Sequence, residues 1–173
     1  GENCSASSRL IVQKGVKEEL LKRILAHARE WPMGDPLDPV NRVGALVSKS
    51  HFDKVASYLG TDRKSGGPKV LLGGTAKDGF VEPTILEAAR DAKQVREEIF
   101  GPVLSVLTVD SFDEAIQLAN DTEYGLAASI FTSNVKRAIR GARAIRAGTV
   151  TVNSFGEGDI STPFGGFKQS GFG

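Results

Sequence analysis

The sequence predicts an α/β fold, a largely parallel sheet flanked by helices, and three observations lead there. Short β-branched runs alternate with amphipathic helical segments along most of the 173 residues. Over 103–153 the order is strand, helix, strand, helix, strand, which is the pattern of right-handed crossovers onto a largely parallel sheet. Apolar residues make up 40% of the chain, enough at this length to bury a core.

The elements follow in order. Arg9 to Gln13 is a β-branched run. From Val16 to Glu30, the residues Val16, Leu20, Leu21, Ile24, Leu25 and Ala28 share one helical face. Trp31-Pro32-Met33-Gly34-Asp35-Pro36 stops that helix. Ser50 reads as the N-cap of a helix through Leu59, with Asp53 in the capping-box position. Lys69 to Leu72 and Phe80 to Leu86 read as strands. Asp78-Gly79 is a hairpin signal between them, in a loop longer than two residues. Val103 to Val109 reads as a buried strand, and Ser111-x-x-Glu114 as the capping box of a helix over 112–120. Ala127 to Thr132 is again strand-like. A helix from Ser133 follows, carrying Val135, Ala138, Ile139, Ala142 and Ile145 and ended by Gly148 as C′. Thr149 to Asn153 alternates as a last strand.

Composition narrows the function. A net charge of +1 provides no strong field for nucleic acid or an anionic membrane, so neither is expected as a partner. No apolar run nears the roughly 20 residues of a membrane span. One cysteine can form neither an intramolecular disulfide nor a zinc cluster. The expectation is an intracellular, cytoplasmic globular domain with no resident metal. The abrupt start at Gly1 and the glycine-rich end at Gly173 predict a piece of a longer protein.

Three places could carry chemistry. Cys4 is the lone thiol. A lone cysteine is ordinarily a small buried hydrophobe, but Asn3, Ser5, Ser7 and Ser8 around it suit an exposed turn whose amides face a ligand. Glu97 and Glu98 diverge on any regular backbone and otherwise read as a solvated pair. The Gly101-Pro102 break presents Glu98 and Phe100 at the start of a strand, where a carboxylate can accept both hydroxyls of a sugar diol. The tail from Thr162 to Gly173 is too glycine-rich for regular structure. Phe164, Phe167 and Phe172 in it argue for a tight loop at a pocket over a flexible terminus. His27 and His51 read as ordinary helix residues, and no GxSxG, GxGxxG or P-loop is present.

Taken together, five motifs resemble the aldehyde dehydrogenase superfamily in its catalytic (thiol) domain. They are Gly1-Glu2-Asn3-Cys4-Ser5-Ala6-Ser7-Ser8-Arg9, Glu97-Glu98-Ile99-Phe100-Gly101-Pro102-Val103, Tyr124-Gly125-Leu126-Ala127-Ala128, Gly148-Thr149-Val150-Thr151-Val152-Asn153, and Pro163-Phe164-Gly165-Gly166-Phe167-Lys168-x-Ser170-Gly171. They occur in the family's order over essentially the whole chain. Asn153 to Asp159 resembles the branch that oxidises ω-aminoaldehydes of polyamine breakdown, such as γ-glutamyl-γ-aminobutyraldehyde dehydrogenase.

The resemblance implies that Cys4 is the nucleophile and that the cofactor is NAD or NADP, bound mainly by an N-terminal domain outside this chain. It implies that Glu98 binds the nicotinamide-side ribose with Phe100 packing nearby. Phe164 and Glu157 would line the substrate funnel, Glu157 attracting a cationic aminoaldehyde. The water-activating glutamate, the oxyanion asparagine and a C-terminal oligomerisation strand would also lie outside residues 1–173, and the full protein would be a homo-oligomer. Two other readings stay open at this level. One is a non-catalytic interaction or structural module; the other is a cofactor-independent thiol esterase using His27 or His51 as base.

Overall fold

A computed structural model describes residues 1–59, 67–156 and 159–173. The chain divides into two compact units, one of Gly1–Glu2 with Ser8–Thr108, the other of Asn3–Ser7 with Val109–Gly173.

The first unit is built on a four-stranded sheet. Its strands are β1 (Arg9–Gln13), β2 (Lys69–Leu72), β5 (Thr84–Glu87) and β6 (Val103–Val109), in the order β1-β6-β5-β2. β5 and β6 run parallel, with Thr84 opposite Val103, whereas β2 lies antiparallel to β5. Because strand side chains alternate in direction, Ile85 and Leu86 serve opposite faces. Ile85 joins Val12 and Val106 beneath Leu20, Leu21, Ile24, Leu25 and Ala28 of α1 (Lys14–Arg29). Leu86 joins Val103, Val81 and Ile99 against Val55, Tyr58 and Leu59 of α2 (Lys49–Leu59). Helices on both faces make this the α/β arrangement the sequence predicts. Val16, expected on the core face of α1, is 59% exposed.

Three local expectations of this unit need correction. Phe80 to Leu86 is not one strand: Phe80–Val81 and Thr84–Glu87 are separate strands in different sheets. The cap of α2 is Ser48, not Ser50. Ser48 Oγ accepts from His51 N at 3.2 Å, and Asp53 accepts from Lys49 Nζ at 2.7 Å instead of closing a box. The Asp78-Gly79 hairpin has a two-residue turn. It joins β3 (Ala76–Lys77) to β4 (Phe80–Val81) with φ of 53° and 87°, a type I′ signature.

In the second unit β7 (Ala127–Ile130) and β8 (Thr149–Val152) form a two-stranded parallel ladder. α4 (Phe112–Asn120) starts as read: Ser111 Oγ accepts from Glu114 N at 3.1 Å, while Glu114 Oε2 accepts from Asp110 N at 2.7 Å. α5 (Val135–Ala144) is capped by Asn134, whose side chain accepts from Arg137 N. Its core face agrees with the predicted one at Ala138 and departs from it at Val135 and Ile139. Ala138 and Gly141 are buried, whereas Val135 and Ile139 are 68% and 52% exposed. A Cβ on Gly141 would lie 2.7 Å from Ile130 Cδ1, so the missing side chain is what lets α5 approach β7. Gly148 does not act as C′. The helix ends at Ala144, and Gly148 is required because a Cβ there would sit 1.7 Å from the Gly165 carbonyl oxygen. Among the described residues no helix is long and apolar enough to cross a membrane, and no His/Cys/Asp/Glu group could hold a metal ion.

Candidate active site

Cys4 occupies a braced turn in the second unit. Ala6 N donates to Asn3 O at 3.0 Å, closing the turn around Cys4 and Ser5. Asn3 Oδ1 accepts from both Ser5 N (2.8 Å) and Ser5 Oγ (2.7 Å), an Asx arrangement that fixes the turn from its first residue. Cys4 is exposed, which removes the reading of it as a buried hydrophobe. The hydrogen bonds of the turn use the amides of Ser5 and Ala6. Among the described residues nothing accepts the Cys4 N–H, which is left for an incoming oxygen.

Glu98 and Phe100 belong to the first unit, on the connection from α3 (Lys93–Arg96) to β6. Two buried polar residues, both donating to backbone carbonyls, pin this connection. Gln94 Nε2 donates to Tyr58 O at 2.9 Å, and Ser105 Oγ donates to Gln94 O at 2.9 Å. The adjacent acids diverge as expected. Glu97 accepts from Tyr58 Oη at 2.6 Å, so it is more than a solvated residue, whereas Glu98 is exposed and accepts no hydrogen bond from the described residues. Ile99, between them and Phe100, is 2% exposed and anchors the loop in the core. Phe100 then takes a φ of 61°, a left-handed conformation rare for a bulky residue. Sequence reasoning gave no sign of this, because phenylalanine carries no preference for positive φ.

Phe164 lies in a tail that is tied down. Phe167 N donates to Gly125 O at 2.9 Å, Gln169 N to Glu123 O at 2.9 Å, and Gly125 N to Ser170 Oγ at 3.0 Å. Lys168 Nζ donates to Asn120 O and Thr122 O at 2.7 and 2.8 Å, capping the carbonyl end of α4. The Tyr124-Gly125 and Phe164–Gly171 motifs are therefore one hydrogen-bonded assembly, and Phe164 is half-exposed on it. Glu157 lies outside the described residues. Nearby, the Ser161 hydroxyl and backbone amide donate to Asp159 and hold its carboxyl below the usual aspartate value. The lysine clamp is a further feature that sequence reading missed; its signal was a lone cation next to an aromatic in a glycine-rich tail.

His51, read as an ordinary helix residue, is half-buried and engaged. Its Nε2 lies 2.7 Å from Phe100 O and 3.2 Å from Glu2 Oε1. His27 is exposed, 3.4 Å from Glu30.

The whole chain, residues 1–173, matches the sequence pattern described as the Aldehyde dehydrogenase family. It is 61% identical over 175 residues to the aminoacetaldehyde dehydrogenase of Pseudomonas aeruginosa, covering 100% of this chain and 35% of that protein. The crystal structure of an indole-3-acetaldehyde dehydrogenase in complex with NAD+ superposes with a TM-score of 0.93 at 46% identity, covering 99% of this chain and 36% of that one. The γ-glutamyl-γ-aminobutyraldehyde dehydrogenase of Burkholderia cenocepacia gives the same TM-score of 0.93, identity of 46% and coverage of 99% and 36%. The chain thus spans about a third of the length of the relatives it matches.

Proposed function

The chain belongs to the aldehyde dehydrogenase family, and from that we infer that it is the catalytic (thiol) domain of a longer NAD(P)-dependent dehydrogenase oxidising an aminoaldehyde to its acid. The observation that carries this reading is the exposed Cys4 on its braced turn, with its own N–H unspent.

The Cys4 thiolate attacks the aldehyde carbon and the carbonyl pair moves onto oxygen, giving a thiohemiacetal oxyanion that the Cys4 N–H can receive. The chemistry NAD or NADP supplies when bound is acceptance of the carbon-bound hydrogen with its electron pair. Cys4 holds the product as a thioester, and water releases the acid as the sulfur departs. Glu98 fits the cofactor's ribose, since an exposed carboxylate presents two acceptor oxygens to two neighbouring hydroxyls. Phe100 packs beside it. Phe164 lines the approach of the aldehyde, and Glu157 draws a cationic substrate.

The aminoaldehyde class rests on the 61% identical aminoacetaldehyde dehydrogenase. The remaining cofactor contacts, the water-activating group and homo-oligomer contacts belong to sequence outside residues 1–173. A cytoplasmic location is part of the same proposal and rests on composition, the single cysteine above all. The esterase alternative gains no support from either histidine: His51 is committed to Phe100 O and Glu2, and His27 is paired with Glu30.

The test is made in the full-length polypeptide. Cys4→Ser should lower aldehyde-dependent NAD reduction on the order of 10³-fold or more. A variant that retains the wild-type rate would end the assignment. Glu157→Ala should raise KM for aminoacetaldehyde while leaving propanal unchanged, and equal effects on both would remove Glu157 from the pocket.

A further inference from the structure

The histidine of α2 belongs to the same unit as Glu98 and Phe100, and it contacts the loop that carries them at its most constrained point. His51 has a side chain only 16% exposed. Its Nε2 faces two acceptors, Phe100 O at 2.7 Å and Glu2 Oε1 at 3.2 Å, so this nitrogen carries the proton and donates. Phe100 is the residue with φ of 61°. A strained residue keeps its conformation only where its surroundings over-determine it, and the surroundings here can be named. Glu2 accepts from Val47 N at 3.4 Å as well as from His51. The next residue, Gly101, lies so close to Gly1 that a Cβ on Gly1 would fall 1.9 Å from Gly101 O. A Cβ on Gly101 would meet Val55 Cγ1 at 2.8 Å, so the loop is pressed directly onto α2 one turn beyond His51. The imidazole also meets the Phe100 ring edge-on, with centroids 6.3 Å apart.

We propose that His51 is a positioning residue for the cofactor loop: by donating to Phe100 O it holds the left-handed turn that presents the exposed Glu98. Glu98 is two residues upstream, and buried Ile99 is the pivot between them. The backbone direction imposed at Phe100 therefore fixes where the Glu98 carboxylate emerges. Glu2 completes the arrangement by orienting the imidazole. This inference rests on the reading of Glu98 as the ribose carboxylate.

The experiment measures NAD binding to the full-length protein by titration calorimetry, in parallel with KM for NAD and for the aldehyde. His51→Gln places an amide donor near the position of Nε2, whereas His51→Leu removes the donor. His51→Asn leaves it about one bond short, and serves where the leucine variant does not fold. The Leu and Asn variants should weaken NAD binding about 10-fold and raise KM for NAD equally, with KM for aldehyde changed less than 2-fold. His51→Gln should recover binding to within 3-fold of wild type. If Gln is as impaired as Leu, or if KM for aldehyde rises in step, donation to Phe100 O is not what matters and the proposal falls. Glu98→Gln separates the two levels. Weak NAD binding in Glu98→Gln with normal binding in His51→Leu overturns the positioning role alone, while normal binding in Glu98→Gln overturns the ribose reading and the proposal with it.

Discussion

Two glycines show how differently the same residue type can be constrained. Gly148 faces the Gly165 carbonyl, where an added Cβ would lie at 1.7 Å from oxygen, backbone against backbone. Gly15 sits inside α1 with nothing within 4 Å of an added Cβ. Gly148→Ala should therefore destabilise the fold by about 2–3 kcal/mol, through forced separation of packed chain segments. Gly15→Ala should stabilise it by about 0.5–1 kcal/mol, through lower helix-forming entropy loss. Urea denaturation midpoints of the two variants check the pair, and equal shifts would contradict the assignment. Asp159 provides a second residue-scale expectation. Its carboxyl pKa is lowered by the Ser161 hydroxyl first and the Ser161 amide second. The contact thus favours the fold above the unfolded aspartate pKa and ceases to do so as pH falls through the folded value. Ser161→Ala should move the Asp159 carboxyl titration upward, read by NMR; no movement would remove the hydroxyl as the cause. At this scale the sequence was a partial guide. It named Cys4, Glu98 and Phe100 as candidates, but the φ of Phe100 and its tie to His51, 49 residues away in sequence, are tertiary facts with no local signature.

Elements were more legible where local chemistry and tertiary packing agree. β1 and β6 run over the residues their β-branched patterns mark, and α4 begins at the serine its capping box names. α2 was misread because two serines stand two apart at its start, Ser48 just before the helix and Ser50 already inside it, and only one can cap. Ser50 with Asp53 has the pattern, but Ser48 Oγ receives the His51 amide, and Asp53 is drawn to Lys49 by an exposed i,i+4 pair. Ser48→Ala should cost about 1 kcal/mol, the usual worth of an N-cap. Ser50→Ala, at an exposed helical position, should change stability by less than about 0.5 kcal/mol. Thermal melts of the two variants discriminate them, and a larger loss at Ser50 would restore the sequence reading. α5 was misread in a different way. Hydrophobic periodicity put Val135 and Ile139 inward, but a glycine is the residue that allows closest approach, so the packed face is the one containing Gly141.

Many large apolar side chains among the described residues are uncovered. Ile160 and Phe172 are about fully exposed, at 105% and 94%, and Leu37 and Val47 are 89% and 82% exposed. Phe131, Phe155, Phe164 and Phe167 are each roughly half-exposed or more. Single exposed apolar residues are ordinary, but many large ones on a small chain signal surface that is covered in the working protein. The relatives it matches are about three times as long, since the chain makes up 35% of the aminoacetaldehyde dehydrogenase. A partner segment of the length those relatives have beyond this match is the cover to test for. Residues 1–173 expressed alone should therefore bind the dye ANS strongly and associate at micromolar concentration, while the full-length polypeptide should give little dye response. Light scattering after size exclusion, with dye fluorescence on both proteins, measures this. A monodisperse, dye-silent 173-residue chain would mean that its apolar residues are tolerated in water and that the missing length serves the cofactor and not the cover. The same two samples bear on function. If the other two thirds hold most of the cofactor contacts, the isolated chain should bind NAD at least 100-fold more weakly than the full protein, because Glu98 and Phe100 are its only proposed contacts. Equal affinity would place the cofactor site within residues 1–173 and overturn the division of labour between the two parts.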